Sequence, residues 1–384
     1  MTKARIIVAI DSFKGCLTSS EANRAAAEGI RTSMPDATVL QIPVSDGGEG
    51  WLEAFQSAIG GRLVDVQVRD PLMRPIVAHY LIEGDTAVIE MARASGLTLL
   101  TPEERNPMIA TSYGTGQLVA DAVRRDCKHL IVGLGGSATS DCGRGMLQAI
   151  DDSQVEIPAD VHFTIATDVS NPLCGKNGAA YVFGGQKMPD NQEQSKVDEM
   201  LSELDARARQ FAEDSASRMG YDRQNEPGAG AAGGLGYAFL QYMNAECRSG
   251  IDLLLDVVHF DDLLLDASLV VTGEGSADRQ TLMGKLPYGI LHRAKRHRVP
   301  VVLIAGRIND RQSLLAAGFS HVECINPPYL SLEDAMNPDT AKINIINTLL
   351  SLTRPLTSSS SVATRHNFTE HGLSAPCNTV NIKP

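Results

Sequence analysis

Five short segments of the sequence combine glycine, a hydroxyl group and a carboxylate, which are the groups that bind phosphates and metal ions. They are DSFKG (11–15), SDGGEG (45–50), GGSATSD (135–141), TDVSN (167–171) and GEGSAD (273–278). Glycine lets backbone N–H groups approach an anion closely, and a following helix adds the positive end of its dipole. Mg²⁺ binds one or two carboxylates together with phosphate oxygens. We therefore predict a phosphate or metal site built from these loops.

Charge and residue type suggest roles within the loops. Lys14 is the cation placed to contact a phosphate during its transfer. One aspartate is expected to accept the proton of an attacking hydroxyl, and the candidates are Asp46, Asp141, Asp168 and Asp278. Glycine and aspartate are also common at turns and helix N-caps, so one such loop alone is more often structural. The functional interpretation therefore depends on all five loops meeting at one edge of a sheet.

Each loop lies between a buried apolar run and a helical pattern. The first run is RIIVAI (5–10), and after its loop Thr18-Ser19-Ser20-Glu21 forms a capping box that starts a helix. Similar apolar runs occupy 38–42, 129–134 and 268–273. This repetition is typical of a parallel, doubly wound α/β sheet, in which ligands bind outside the carboxyl ends of the strands. The predicted fold class is thus α/β, a Rossmann-like parallel-sheet domain with a second, smaller α/β domain.

Two stretches, 61–112 and 160–227, depart from this repetition and are predicted to be strand-rich. Asp70-Pro71-Leu72 and Asn171-Pro172-Leu173 are each followed by alanine and tyrosine at the same distances. The match predicts a duplicated hairpin, although chance could also produce it. The predicted domains are a discontinuous Rossmann-like domain (1–60, 113–159 and 228–354), an inserted smaller domain (61–112 and 160–227), and a disordered tail rich in Ser and Thr (355–384).

Composition excludes several classes of protein. The 384 residues suggest two or three domains at roughly 150 residues each. A net charge of −12 disfavours a nucleic-acid partner, and the absence of an eighteen-residue apolar run disfavours a membrane partner. The seven cysteines are widely spaced, which indicates reduced thiols and a cytoplasmic location. A small-molecule substrate is expected, while the oligomeric state stays open, with a homo-oligomer among the alternatives.

Competing motifs are weaker. Gly284-Lys285 is followed by Leu286 rather than a hydroxyl residue, so the chain has no P-loop. The segment GAGAAG (228–233) matches the dinucleotide-binding pattern but follows Asn225-Glu226-Pro227 instead of an apolar strand. A dinucleotide-dependent oxidoreductase therefore stays as an alternative, and a helix N-terminus that binds substrate or packs tightly is the preferred interpretation.

Taken together, the loops resemble the bacterial glycerate kinase family, of the glycerate 2-kinase type, over most of residues 4–353. The segments that carry the resemblance are 11–15, 43–50, 89–97 (IEMARASGL), 113–118 (YGTGQL), 133–143, 171–187 (NPLCGKNGAAYVFGGQK), 227–236 (PGAGAAGGLG), 271–280 and 284–285. The resemblance implies transfer of the γ-phosphoryl group of ATP, with Mg²⁺, to D-glycerate. The 2-hydroxyl, giving 2-phosphoglycerate, is the expected position, and the sequence leaves the 3-hydroxyl open as the alternative. The resemblance also implies a smaller domain with a swapped hairpin and a cleft between the two domains.

The resemblance suggests roles for particular residues. Expected catalytic residues are Lys14, Asp46 and Asp168. Expected substrate and phosphate contacts are Ser12, Gly47, Gly48, Gly135, Gly136, Ser137, Gly230, Gly233 and Lys285, and expected metal ligands are Asp141, Glu274 and Asp278.

This sequence also departs from the family pattern. It has Ile10 in place of proline, Met188-Pro189 in place of Gly-Ala, a short linker at 150–161, and Ser276 where the pattern has arginine. The missing arginine would remove a charge-assisted contact. A weakly active or non-catalytic relative that binds glycerate or nucleotide as a sensor is therefore a further alternative.

Overall fold

The computed structural model describes residues 3–45, 50–190 and 192–354, so the predicted tail at 355–384 lies outside the described residues. The strands are β1 (Arg5–Ile10), β2 (Thr38–Gln41), β3 (Arg62–Arg69), β4 (Pro75–Glu83), β5 (Thr86–Glu90), β6 (His129–Gly133), β7 (His162–Ala166), β8 (Glu246–Arg248), β9 (Leu269–Ala277), β10 (Val301–Ile308) and β11 (His321–Cys324). The helices are α1 (Ser19–Ser33), α2 (Trp51–Ile59), α3 (Ala92–Ser95), α4 (Tyr113–Arg124), α5 (Arg144–Asp152), α6 (Ala179–Phe183), α7 (Gln194–Met219), α8 (Ala231–Met243), α9 (Gly250–Val257), α10 (Phe260–Leu265), α11 (Leu286–Arg296), α12 (Arg311–Ala317), α13 (Leu332–Ala335) and α14 (Pro338–Thr353). None of these described helices combines the length and the apolar character that crossing a bilayer requires.

The chain forms two compact units. The first unit joins the described residues before position 47 to those after position 253, and the second unit contains the described residues between them. The first unit has a parallel sheet in the order β2-β1-β9-β10-β11. Its interior strand β1 is apolar and buried from Ile6 to Ile10, as expected for a strand covered on both faces. The first unit is therefore a doubly wound α/β fold, which confirms the predicted fold class.

Helix α1 is held by a capping box at its start and by close packing against helix α14. The predicted capping box is present, because Thr18 Oγ1 accepts a hydrogen bond from the N–H of Glu21 and the Glu21 carboxylate accepts one from the N–H of Thr18. At Gly29 the helix approaches α14 so closely that an added Cβ would lie 2.5 Å from the carbonyl oxygen of Ile346. Helices α1 and α14, which come from the two chain segments of the first unit, are thus packed closely against each other.

The second unit has a mixed sheet in the order β3-β4-β5-β6-β7-β8. Strands β3, β4 and β5 pair in antiparallel fashion, and β5 to β8 pair in parallel fashion. The predicted boundaries differ from this division, since 113–159 and 228–253 belong to the second unit, which is also the longer of the two. The repeated pattern of strand, glycine-rich loop and helix occurs in both units, so it does not reveal which sheet a strand joins.

The duplicated hairpin predicted at 160–227 is wrong. The first hairpin exists as β3 and β4, and its turn is held by Asp70 Oδ1, which accepts the N–H groups of Leu72 and Arg74 at 2.8 Å each. Within residues 160–190 and 192–227, however, β7 is the strand, and Ala179 and Tyr181 lie in helix α6. The Asn-Pro-Leu match thus begins a turn that leads into a helix, and the swapped hairpin has no counterpart in this segment.

Helices α4 and α5 of the second unit cross with their backbones in contact at Gly116. An added Cβ there would lie 2.3 Å from the carbonyl oxygen of Met146 and 2.8 Å from Cβ of Ala149. We expect Gly116→Ala to destabilise the protein by about 1–3 kcal/mol, because the backbone of α5 must move. The matched control is Gly185→Ala, where an added Cβ meets nothing within 4 Å. Thermal unfolding of both variants tests this, and equal unfolding temperatures would contradict it.

Candidate active site

In the first unit, two of the predicted loops meet where the strand order changes direction. The chain passes from β1 outward to β2 and later returns to β9 on the other side of β1, and ligands bind in the crevice at such a switch point. The loop after β1 donates the N–H of Asp11 to the carbonyl oxygen of Gly273 at 2.9 Å. A Cβ on Gly275 would lie 3.7 Å from Cα of Phe13 and 3.9 Å from N of Lys14. The structure therefore brings the DSFKG and GEG segments together.

Lys14 occupies the tip of a tight turn. The N–H of Phe13 donates to the carbonyl oxygen of Leu17 at 2.8 Å, and the N–H of Leu17 donates to that of Phe13 at 2.9 Å. Gly15 permits the turn with a φ of +72°. Ser12, the other predicted residue of this loop, donates its N–H to Asp11 Oδ1 at 2.7 Å. The turn leaves the side chain of Lys14 exposed, as a residue that contacts a phosphate must be.

Three further predicted residues form one polar cluster in the first unit. Glu274 is only 8% exposed, and its Oε1 accepts the hydroxyl of Thr281 at 2.6 Å. The ammonium group of Lys285 lies 3.6 Å from Glu274 Oε2. Burial raises the pKa of Glu274, while Thr281 and Lys285 oppose that rise. Asp278 caps the next turn by accepting the N–H of Gln280 at 2.7 Å.

The position of Glu274 differs from the sequence prediction. Strand β9 was expected to end at residue 273, but it continues to Ala277 because it pairs with β10 as far as Ile308. Glu274 is therefore a strand residue held in place by backbone hydrogen bonds rather than a loop residue. A carboxylate fixed in this way is preorganised for a cation.

In the second unit, the turn after β6 is anchored to the segment after β5. Gly136, with a φ of +73°, accepts the N–H of Leu97 at 2.8 Å, and Ser137 pairs with Gly96 across an isolated bridge. Gly135 precedes this turn, and Asp168 follows β7 at the same edge of the sheet. Four predicted residues thus share the carboxyl edge of the second sheet.

Asp141, a predicted metal ligand, accepts hydrogen bonds through both of its carboxylate oxygens. Its Oδ2 accepts the N–H and the hydroxyl of Ser112 at 2.8 Å each and the N–H of Gly145 at 3.1 Å. Its Oδ1 accepts the N–H of Gly143 at 3.1 Å. Both oxygens are therefore occupied by donors at the starts of helices α4 and α5. Asp141 joins the two helix starts instead of presenting a vacant ligand.

The predicted phosphate contacts Gly230 and Gly233 have packing roles. A Cβ on Gly230 would lie 2.4 Å from the carbonyl oxygen of Pro172, and one on Gly233 would lie 1.9 Å from that of Thr139. The GAGAAG segment follows a turn rather than a strand, and residues 232–234 have left-handed backbone angles inside α8. The close packing alternative is therefore the one observed, and the strand-to-helix turn required for dinucleotide binding does not occur here.

Sequence reasoning missed two charged residues beside these loops. Arg93 bridges Glu90, which is buried at the end of β5, and Glu53 on α2. Burial raises the pKa of Glu90. Lys187 is 2% exposed, and its ammonium group donates to the carbonyl oxygen of Thr139 at 2.6 Å. Arg93 and Lys187 lie in segments that carry the family resemblance, but only the fold reveals their contacts.

Lys187 should make stability depend on pH. Burial lowers the pKa of its ammonium group from 10.5 to about 8, with Asp141 and Cys142 opposing the change. Between these values the unfolded chain binds a proton that the folded chain has released, so folding stability rises with pH. Above pH 8, we expect the free energy of unfolding of the wild type to rise relative to that of Lys187→Met. The difference should grow by at most about 1.4 kcal/mol per pH unit.

Urea unfolding of the two proteins from pH 7 to 10 tests this dependence. The tyrosines and cysteines titrate in both proteins, so their contribution cancels in the difference. A difference that does not change with pH would contradict the expectation.

The expectation that all five loops share one edge is wrong. Strands β1, β2 and β9, which precede three of the loops, belong to the first sheet, and strands β6 and β7 belong to the second. Asp46, Gly47 and Gly48 lie outside the described residues. Among the residues that the structure does describe, no three His, Cys, Asp or Glu side chains are grouped as a metal site. Mg²⁺ that binds together with phosphate takes one or two carboxylates from a protein, and Glu274 and Asp278 are two carboxylates on one segment.

A comparison with known protein families identifies the class of protein to which this chain belongs. The model of the glycerate kinase family matches residues 6–157 and 149–355. The chain therefore belongs to the glycerate kinase family, and it is an enzyme of the kinase class.

Individual relatives agree with this assignment. A glycerate kinase of Bacillus subtilis is 40% identical over 360 residues, covering 86% of this chain and 92% of the relative. A glycerate 2-kinase of Escherichia coli is 37% identical over 334 residues, covering 80% and 86% respectively. A crystal structure assigned as glycerate kinase 2 of Salmonella typhimurium superposes with a TM-score of 0.77 at 37% identity, covering 93% of this chain and 99% of that one.

Proposed function

We propose that this protein transfers the γ-phosphoryl group of MgATP to the 2-hydroxyl of D-glycerate, giving 2-phosphoglycerate and ADP. Family membership supports the acceptor, and the name of the Escherichia coli relative supports the 2-position. The observation that carries the proposal is the meeting of the Lys14 turn with Gly275 at the switch point of the first sheet. Such an edge combines a cation and carboxylates, which phosphoryl transfer requires.

The residues of the first unit have separable tasks in this proposal. Lys14 and the backbone of its turn bind phosphate oxygens and neutralise the charge that develops on the transferred group. Glu274 and Asp278 would hold the Mg²⁺ of the nucleotide, and Lys285 would balance the charge of Glu274. When bound, Mg²⁺ neutralises phosphate charge and orients the oxygens. Asp168 and Asp46 stay candidates for the proton acceptor on the ground of residue type.

Phosphorus NMR of the purified protein with MgATP and D-glycerate tests the proposal. A new phosphomonoester signal with the chemical shift and proton coupling of 2-phosphoglycerate is the expected result. A 3-phosphoglycerate signal would keep the kinase and overturn the position of attack. Binding of ATP or D-glycerate without any product would favour the sensor alternative instead.

A further inference from the structure

Arg307 lies near the carboxyl end of β10, directly opposite Ser276 of β9 in the register of the parallel pair. Both residues are exposed, whereas Ala277, the next residue of β9, is buried. Side chains at paired positions of neighbouring strands point to the same face of a sheet, and the faces alternate along each strand. Arg307 therefore shares a face with Ser276 and, two residues earlier in β9, with Glu274.

This end of β10 belongs to the switch-point edge. A Cβ on Gly306 would lie 2.8 Å from the carbonyl oxygen of Gly275, and Gly275 in turn approaches the backbone of Lys14. Two consecutive close approaches thus link the ends of β10 and β9 to the loop after β1. Arg307 adds a further cation to an edge that already carries Lys14, and Lys285 beside Glu274.

Among the residues that the structure describes, nearby arginines have carboxylate partners and Arg307 has none. Arg279 lies 3.5 Å from Asp310, and Arg311 lies 3.4 Å from Glu323. Within residues 3–45, 50–190 and 192–354, no carboxylate lies within 4 Å of the Arg307 guanidinium group. An exposed guanidinium with this surrounding is available to an anionic ligand.

We infer that Arg307 binds an anionic oxygen of the bound reactants, either a phosphate of the nucleotide or the carboxylate of glycerate. This inference rests on the proposed function. A planar guanidinium group matches both anions through paired hydrogen bonds. Ser276 stands where the family pattern has arginine. Arg307 on the neighbouring strand supplies a guanidinium group on the same face of the sheet.

The variant Arg307→Ser tests this role. Loss of a charge-assisted contact is expected to lower kcat/KM by about 10–100-fold. A rise in the KM for ATP would identify the phosphate as the ligand, and a rise in the KM for D-glycerate would identify the carboxylate. The charge-matched control is Arg298→Asn, which removes an exposed arginine before the start of β10, at the opposite edge of the sheet. Asparagine tolerates the left-handed backbone at that position.

The double variant Ser276→Arg with Arg307→Ser separates binding from a structural role. Because the two positions share a face on adjacent strands, moving the guanidinium across should recover most of the lost kcat/KM. Wild-type constants for Arg307→Ser would overturn the inference. A loss that the double variant does not recover, accompanied by a lower unfolding temperature for Arg307→Ser, would also overturn it.

Titration calorimetry of MgATP and of D-glycerate with each variant keeps the two hypotheses distinct. If the wild type binds both reactants but yields no product, the proposed function fails, while weaker binding by Arg307→Ser would still support the role of Arg307. If the wild type is active and Arg307→Ser binds both reactants as the wild type does, the inference fails and the proposed function stands.

Discussion

Replacing Lys14 by alanine is expected to lower turnover on the order of 10²–10³-fold, because a preorganised cation at the transferred phosphate is lost. The unfolding temperature should not change, since the side chain is exposed and the turn is held by backbone hydrogen bonds of Phe13 and Leu17. Steady-state kinetics with MgATP and D-glycerate, alongside thermal unfolding, measure both quantities.

Two companion variants sharpen the Lys14 test. Lys3→Ala removes an exposed lysine of the same unit before the start of β1, at the other edge of the sheet, and should keep normal turnover. Lys14→Arg keeps the charge and should retain part of the activity. Normal turnover of Lys14→Ala would remove this residue from the mechanism.

Replacing Asp141 by alanine is expected to destabilise the protein by about 2–4 kcal/mol. The carboxylate accepts the N–H groups of Ser112, Gly143 and Gly145, and its loss leaves these donors without a partner in a half-buried setting. Urea unfolding measures the effect. Asp141→Asn, which keeps one acceptor oxygen, should lose less.

The control for Asp141 is Asp151→Ala, which removes an exposed carboxylate from α5 and should leave stability nearly unchanged. If Asp141→Ala were as stable as this control but had lost activity, the residue would be a ligand or catalytic group rather than a structural one. That outcome would restore its predicted role in binding a metal.

The positions of the strands were predictable because buried parallel strands are continuous apolar runs. RIIVAI became β1 and HLIVG became β6, each followed by the expected glycine-rich loop. Their assignment to sheets was not predictable, because pairing partners are chosen by contacts between distant segments. Residues 6–10 pair with 269–273, for example, and no local pattern indicates that pairing.

Prediction from sequence has the same limit for the contacts of single side chains in the site. Lys14 and Glu274 were identified by residue type and Lys285 through the family resemblance, and the fold places all three at the carboxyl edge of one sheet. The hydrogen-bond donors that surround Asp141 were not predictable, because they include Ser112, which lies 29 positions earlier in the chain. The sequence does not distinguish a loop carboxylate that accepts hydrogen bonds from distant backbone donors from one that binds a metal ion.

The discontinuity of the first unit has a consequence for biosynthesis. Strand β1 leaves the ribosome long before one of its two neighbours, β9, which begins about 260 residues later. At translation rates of roughly 5–20 residues per second, the nascent β1 waits on the order of tens of seconds for that partner. The second unit is continuous and can complete its own sheet during this interval. An apolar strand with an open edge during that time is a target for chaperones and for aggregation, so slower folding of the second unit would lower the yield of the first.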